Sequence, residues 1–375
     1  MRILIVSEGF GQELFGVSQV IIKLNEKLRS YGVSCRVLVS KLGDISGVDV
    51  DVRKIPAAIG GNPFRWHPDL FQFYVQEIKE FKPDVIHIHG VFTFVQYAAV
   101  QAAHVLGVPV LLSLHGMLEE WTWRQKGSVY YFAKRMYWRA LLSPVFKLVD
   151  TVHVITRLEA ETARHELGQI SQVLIPNAMD FSKLPALADQ PRRNFVFLGR
   201  LHPKKGVELL IKAFAQARLG DDWRLIIAGP DQDPAYGRRL LQLVRDLRLN
   251  DQIQLIGPVY GDGKYKLMSN AWAVVVPSFS EVIAMVNLES AAVCTPTITT
   301  RVTGLDDWDQ SGGLLIDPRE DQLTQALAKV ASWSLAERMQ NGEKAHRFVR
   351  ERYGWDAIAP KWLEAYQAIG KKNKH

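Results

Sequence analysis

Two sets of short apolar runs, each set interleaved with longer amphipathic stretches, constrain this chain more than any other feature. The first set is RILIVS (2–7), RVLVS (36–40), DVIHIHG (84–90), PVLLSLHG (109–116) and TVHVIT (151–156). The second is FVFLGRL (195–201), WRLIIAGP (223–230), IQLIGPV (253–259), AWAVVVPS (271–278) and PTITT (296–300). Most of these runs are near-continuously apolar rather than alternating, as strands buried on both faces require. Helical periodicity falls between them, at 17–31, 69–81, 94–106 and 157–167, then at 206–217, 236–248, 261–271 and 283–293. Strand–helix alternation predicts parallel sheets covered on both faces. The restart predicts two doubly wound, Rossmann-like α/β domains facing a central cleft. The stretch PALADQPRRN (185–194) reads as a linker, so the first domain is expected over 1–188 and the second over 189–354.

At 375 residues the chain is long enough for two such cores. Its net charge of +7 favours an anionic partner: a nucleotide phosphate, an acidic membrane surface or nucleic acid. No nucleic-acid recognition pattern is evident. Cys35 and Cys294 lie too far apart to suggest a disulfide framework or metal-ligand spacing. MRILIVSEG turns polar too soon for a signal peptide, and no apolar run is long enough to span a bilayer. A cytoplasmic protein is expected, with room for contact with the inner face of the membrane.

Doubly wound sheets bind ligands beyond the carboxyl ends of their strands. His89, His115, Arg200 and Glu281 all fall there. In PSFSEVIAMVNLESAA (277–292), Glu281 sits in the turn after a strand and Glu289 about two turns into the following helix. The separation is roughly 12 Å along the axis and about 80° around it, so both carboxylates can face one ligand. The helix start between them offers N–H groups to an anion. A nucleotide sugar suits this arrangement, with its diphosphate at the helix start, its hexose near Glu281 and its ribose near Glu289. In FLGRLHPKKGVELL (197–210), Arg200 and Lys205 can reach the same diphosphate. Taken singly, each feature also admits a structural reading: a helix-start acid, a solvent-facing glutamate, a solvated basic loop.

Other signals are weaker. His87 and His89 share a strand face but show no third metal ligand. SEGFGQELFG (7–16) carries Leu14 where a dinucleotide fingerprint needs glycine. VDVDV (48–52) reads as a half-exposed strand. Residues 121–149 hold six Lys or Arg, eight aromatics and no acid. That mixture suits either an anionic membrane interface or helices packing Tyr130, Tyr137 and Leu141 on the domain.

GRLHPKKG, SEVIAMVNLE and AAVCTP together resemble glycosyltransferase family 4, of the GT-B fold. IPNAMD (175–180), DVIHIHG, SLHGMLEEW and YGWDAIAPKWLEAYQAI (353–369) extend the resemblance along nearly the whole chain. It implies sugar transfer from a nucleotide sugar with retention at the anomeric carbon, and no metal or other cofactor. It implies that Arg200 and Lys205 bind the diphosphate, Glu289 the ribose and Glu281 the donor sugar, with His115 at the reacting centre. Main-chain N–H groups of Ala284, Met285 and Val286 would cap the phosphates, and Gly16 would approach them from the first domain. His89 and Glu119 fall on the acceptor side. The last helix, 355–375, would cross back onto the first domain. A glycan or lipid-linked acceptor in surface-polysaccharide assembly is the implied setting. Glycine is usual in the family where this chain has Val282, Ala284 and Cys294. Those departures keep open an isomerase or hydrolase of nucleotide sugars, or an inactive partner subunit.

Overall fold

The computed structural model describes residues 1–11, 14, 16–58, 64–124, 127–182, 184–185 and 191–372. The chain divides into two compact units, Met1–Asn177 with Ile358–His375, and Ala178–Ala357. The division precedes the linker stretch expected near 188, of which 186–190 lie outside the described residues. It falls early because Met179 already pairs with Gly354, and its N–H donates to Tyr353 O at 2.7 Å.

The first unit contains β1 (Arg2–Phe10), β2 (Ser34–Leu42), β3 (Asp51–Lys54), β4 (Val85–His89), β5 (Val110–Ser113), β6 (Thr151–Val154) and β7 (Ser171–Leu174). Among the described residues they form one parallel sheet, in the order β3-β2-β1-β4-β5-β6-β7. The second unit contains β8 (Asn194–Leu198), β9 (Arg224–Ala228), β10 (Ile253–Gly257), β11 (Ala273–Val276), β12 (Thr297–Thr300) and β13 (Leu314–Ile316). Their order is β10-β9-β8-β11-β12-β13, again parallel throughout. Both sheets therefore reverse direction once, between β1 and β4 and between β8 and β11. These reversals are the switch points at which doubly wound sheets bind ligands.

The central strands are apolar because helices cover both faces: Ile3 to Val6, Val85 to Ile88 and Ala273 to Val276 are nearly all inaccessible. Helix Phe94–Val105 starts at a Thr93/Gln96 capping box, and helix Leu335–Tyr353 at a Ser334/Glu337 one. Helix Trp355–Lys372 passes into the first unit at Ile358. There Trp362 packs on His153 with ring centroids 4.4 Å apart.

The basic aromatic stretch splits in two. Trp138, Leu142 and Phe146, in the continuation over 138–146, are fully buried core residues. Helix Ser128–Tyr137 buries none of its residues, and it exposes Val129 by 86%, Phe132 by 66% and Met136 by 71%. The stretch thus packs on the domain through Trp123 and its second half, with Tyr131 and Tyr137 partly buried against the core between them. No helix among the described residues is long and apolar enough to cross a membrane.

Candidate active site

In the second unit the expected residues gather at the switch point. Lys205 ends a single 3-10 turn, Pro203–Lys205, just after β8. Glu281 follows β11, the strand on the other side of the reversal. The Lys205 ammonium and the Glu281 carboxylate form an ion pair, largely shielded from solvent. Ser278 Oγ donates to the same carboxylate oxygen at 2.9 Å. The two loops are also knitted through the main chain, since Phe279 N–H donates to Lys204 O at 2.8 Å. Gly206 permits the approach: a Cβ there would stand 2.1 Å from Pro277 O, and its φ of +71° is left-handed. Arg200 is exposed beside this pair, and its Nη1 donates to Gln232 Oε1 at 3.3 Å.

Glu281 lies in the turn before the helix, as expected, but 283–284 are not helical. Glu281 N–H donates to Val302 O at 2.9 Å and Ala284 N–H to Thr303 O at 3.0 Å, so these residues run alongside 302–303. The helix starts later than expected, as Met285–Ala292. Of the three main-chain N–H groups read as phosphate caps, Ala284 is thus committed to Thr303. Met285 donates to Ile283 O at 3.1 Å. Val286 N–H has no hydrogen-bond acceptor among the described residues. Glu289, on the helix, accepts from Lys264 Nζ at 2.8 Å. Its negative charge and burial together raise the hydroxyl pKa of Tyr265, burial contributing more.

The three departures from family glycines sort differently. Ala284 has φ −82°, and Val282 is absent from the left-handed residues, so neither backbone demands glycine. Cys294 has φ +54°, the conformation glycine adopts most readily.

In the first unit, Gly16 caps helix Val17–Ser30 with φ +74°. His89 ends β4, and His115 follows β5 with a left-handed φ of +52°. The structure brings these two together: His89 Nδ1 and His115 Nε2 are 2.8 Å apart. Glu119 is buried on the loop after His115, where its N–H donates to Gly116 O at 3.2 Å.

Two buried residues that the sequence did not single out support this loop. Glu159 accepts from Gly116 N–H and, at 2.6 Å, from Ile155 N–H. Burial outweighs those two donors and raises its carboxyl to about 7. His153 lies in β6 and joins a chain across the sheet. His153 Nε2 is 2.8 Å from Ile175 O, which can only accept, so that nitrogen carries the proton. His153 Nδ1 then accepts from Ser113 Oγ at 2.7 Å. Ser113 accepts in turn from His87 Nε2 at 2.7 Å, and His87 Nδ1 accepts from Tyr366 Oη at 2.7 Å. One carbonyl therefore fixes two tautomers and two hydroxyl directions. The chain requires neutral rings, and burial holds His87 and His89 well below the usual histidine range, His153 at about 4 and His115 at about 3. His87 is thereby structural, as its place beside the C-terminal helix shows. No group of three or more His, Cys, Asp or Glu among the described residues is arranged to hold a metal ion.

Two parallel α/β units, each with polar residues clustered at its strand ends, give the architecture of an enzyme with ligand sites at its switch points, and comparison with known proteins narrows the class. The family model "Glycosyltransferase Family 4" matches residues 16–183 and "Glycosyl transferases group 1" matches 181–352. An uncharacterized glycosyltransferase of Methanocaldococcus jannaschii is 32% identical over 46% of this chain, which spans 44% of that protein. The gpi3 subunit of phosphatidylinositol N-acetylglucosaminyltransferase from Schizosaccharomyces pombe is 24% identical over 98% of this chain and 81% of that one. The crystal structure of Anabaena Alr3699/HepE in complex with UDP and glucose covers 98% of this chain and 100% of its own, with TM-score 0.75 and 16% identity. One glycosyltransferase family model thus matches each unit, and the fold is that of the two-domain, GT-B glycosyltransferases.

Proposed function

We propose that this enzyme is a retaining, metal-independent hexosyltransferase that moves a sugar from a nucleoside diphosphate sugar onto a glycan or lipid-linked acceptor in surface-polysaccharide assembly. The observation that supports this best is the Lys205–Glu281 pair, which places a cation and a carboxylate together where β8 and β11 diverge. Arg200 and Lys205 receive the diphosphate. Glu281 accepts from hydroxyls of the transferred sugar, Glu289 accepts from the ribose, and the start of helix Met285–Ala292 faces the phosphates through Val286. From the first unit, Gly16 serves the diphosphate, His115 the transferred sugar and Glu119 the acceptor side, with His89 buried behind His115.

As the bond between the anomeric carbon and the phosphate oxygen breaks, the electron pair stays on that oxygen. Arg200 and Lys205 stabilise the developing charge. The same oxygen takes the proton of the acceptor hydroxyl, whose oxygen forms the new bond on the face the diphosphate leaves. Configuration is thus retained. Glu281 is a poor candidate for a covalent nucleophile, because its carboxylate is shared between Lys205 and Ser278.

A lipid-linked acceptor is favoured by the exposed apolar face Val129, Phe132 and Met136, flanked by the exposed Arg139 and Lys147. Such a face suits peripheral contact with an anionic membrane at the cytoplasmic side. The likeness to a subunit whose name specifies phosphatidylinositol points the same way.

The test is calorimetric titration with uridine, guanosine and adenosine diphospho-sugars, with and without chelator, followed by turnover of Lys205→Ala. One sugar nucleotide should bind in chelator, and Lys205→Ala should lose at least about a hundredfold in kcat with its fold intact. Near-normal turnover removes Lys205 from the reaction. Loss of binding on chelation contradicts metal independence, and fast donor consumption without acceptor marks a hydrolase or isomerase instead.

A further inference from the structure

We propose that His89 is a positioning residue: it holds His115 in the tautomer protonated on Nδ1, so that His115 presents a hydrogen-bond donor, and not a base, at the end of β5. One contact and one unsatisfied ring nitrogen decide the tautomer. His89 Nδ1 and His115 Nε2 are 2.8 Å apart, with the two rings only 16° from parallel. His89 Nε2 is fully buried and has no hydrogen-bond partner among the described residues.

Two neutral arrangements satisfy the contact. In one, His115 donates from Nε2, and His89 must then carry its own proton on Nε2, as a buried N–H with no acceptor. In the other, His89 donates from Nδ1, and its Nε2 is left as a buried lone pair. Folded proteins leave donors orphaned more rarely than acceptors. The second arrangement is therefore preferred. His115 Nε2 then accepts, and its proton lies on Nδ1, for which no protein acceptor is present among the described residues.

The surroundings keep this choice from relaxing. His89 stacks on His87 with centroids 4.0 Å apart, and His87 is held by Tyr366 and Ser113. Gln96 Nε2 donates to His89 O at 3.1 Å, which fixes the strand end. His115 is locked from the other side by its left-handed backbone and by Glu159 on the next N–H. The chemical consequence is specific. A histidine that donates from Nδ1 and has its Nε2 occupied recognises an oxygen acceptor on the ligand, such as a sugar hydroxyl or ring oxygen. It does not take a proton from the attacking hydroxyl. This consequence rests on the proposed role of His115 at the transferred sugar, whereas the tautomer does not.

The experiment is a long-range 1H–15N correlation spectrum of the full chain with labelled histidine, using His115→Gln to assign His115. The wild type should show His115 protonated on Nδ1 and bare on Nε2. His89→Asn keeps an amide donor at the place of Nδ1, and it should preserve that pattern. His89→Leu removes the donor and should move proton density onto His115 Nε2. The loss of one hydrogen bond should lower kcat in His89→Leu about tenfold with the donor KM unchanged, and His89→Asn should recover much of that loss. His115 protonated on Nε2 in the wild type overturns the proposal even if neither variant folds, and so does an unchanged tautomer in His89→Leu. The predicted tautomers without sugar transfer would instead remove the glycosyltransferase reading of the site and leave the positioning role standing.

Discussion

Cys294 offers a direct measure of what a side chain costs at a glycine position. It follows helix Met285–Ala292 as the left-handed residue of a Schellman closure. Its N–H donates to Ala291 O at 3.0 Å, and Thr295 N–H reaches back to Ser290 O at 3.0 Å. The conformation cannot drift away. Cys294 O accepts from Arg338 Nη1 at 3.1 Å, and it lies 2.1 Å from where a Cβ on Gly342 would stand. A left-handed L-residue costs about 1–2 kcal/mol. Glycine would relieve that strain but loses about 0.5–1 kcal/mol more backbone entropy on folding than alanine. The balance favours glycine by about 0.5–1 kcal/mol. Loss of the half-buried thiol is a separate effect, so the comparison is between Cys294→Ala and Cys294→Gly, which differ only in the Cβ. Amide exchange over 290–295 should be about two- to fivefold slower in the glycine variant, and its urea midpoint should be higher. Equal or faster exchange than in the alanine variant would refute a left-handed backbone at Cys294.

Further outcomes follow from buried charge and exposed apolar surface. Burial raises the Glu159 carboxyl from about 4.5 to about 7, so between those values the folded chain keeps a proton that the unfolded chain has released. Stability should therefore fall as pH rises through this window, by roughly 3 kcal/mol in all, and level off above it; urea unfolding of Glu159→Gln should lack this component. Arg338 is buried and donates to the carbonyls of Ala271, Trp272 and Cys294 and to Thr295 Oγ1, at 2.7 to 3.2 Å. Burial lowers it to about 10. Lysine cannot span those acceptors, so Arg338→Lys should destabilise by about 2–4 kcal/mol in the same assay. Phe132→Ser with Met136→Ser should weaken flotation with anionic vesicles at least about tenfold while leaving the melting temperature within about 2 °C, because neither residue is buried. Unchanged flotation would remove helix Ser128–Tyr137 as a membrane contact.

The central strands were legible because burial on both faces leaves an unbroken apolar signature. The edge strands β7 and β13 were not, and β3 was only half seen. β3 and β7 mix polar and apolar residues on partly exposed edges, and the apolar run of β13, Leu314–Ile316, is only three residues long. The charged residues at strand ends were legible for a similar reason, since Arg200, Lys205 and Glu281 interrupt apolar text. Their pairing was not, because Lys205 meets Glu281 across 76 residues of chain. Glu159 stands in the first turn of helix Arg157–Leu167, where an acid is ordinary, and its work lies 43 residues away at Gly116.

A usable signal for the histidine chain did exist. His87, His89 and His153 all sit inside strands whose neighbours are apolar, and a buried imidazole without partners costs several kcal/mol. Three such rings, on the two strands that flank β5, therefore had to find one another, or a hydroxyl, or a carbonyl. The parallel register decides which. His89 pairs with Ser113 across β4 and β5, and Ser113 with His153 across β5 and β6, which brings the polar groups to one level of the sheet. Tyr366 completes the line from helix Trp355–Lys372, so the helix is anchored to the sheet by a directional hydrogen bond as well as by Trp362. Replacing Ser113 by alanine would strand a donor on His87 and an acceptor on His153 at once. That double loss explains why a hydroxyl stands at the buried end of an otherwise apolar strand.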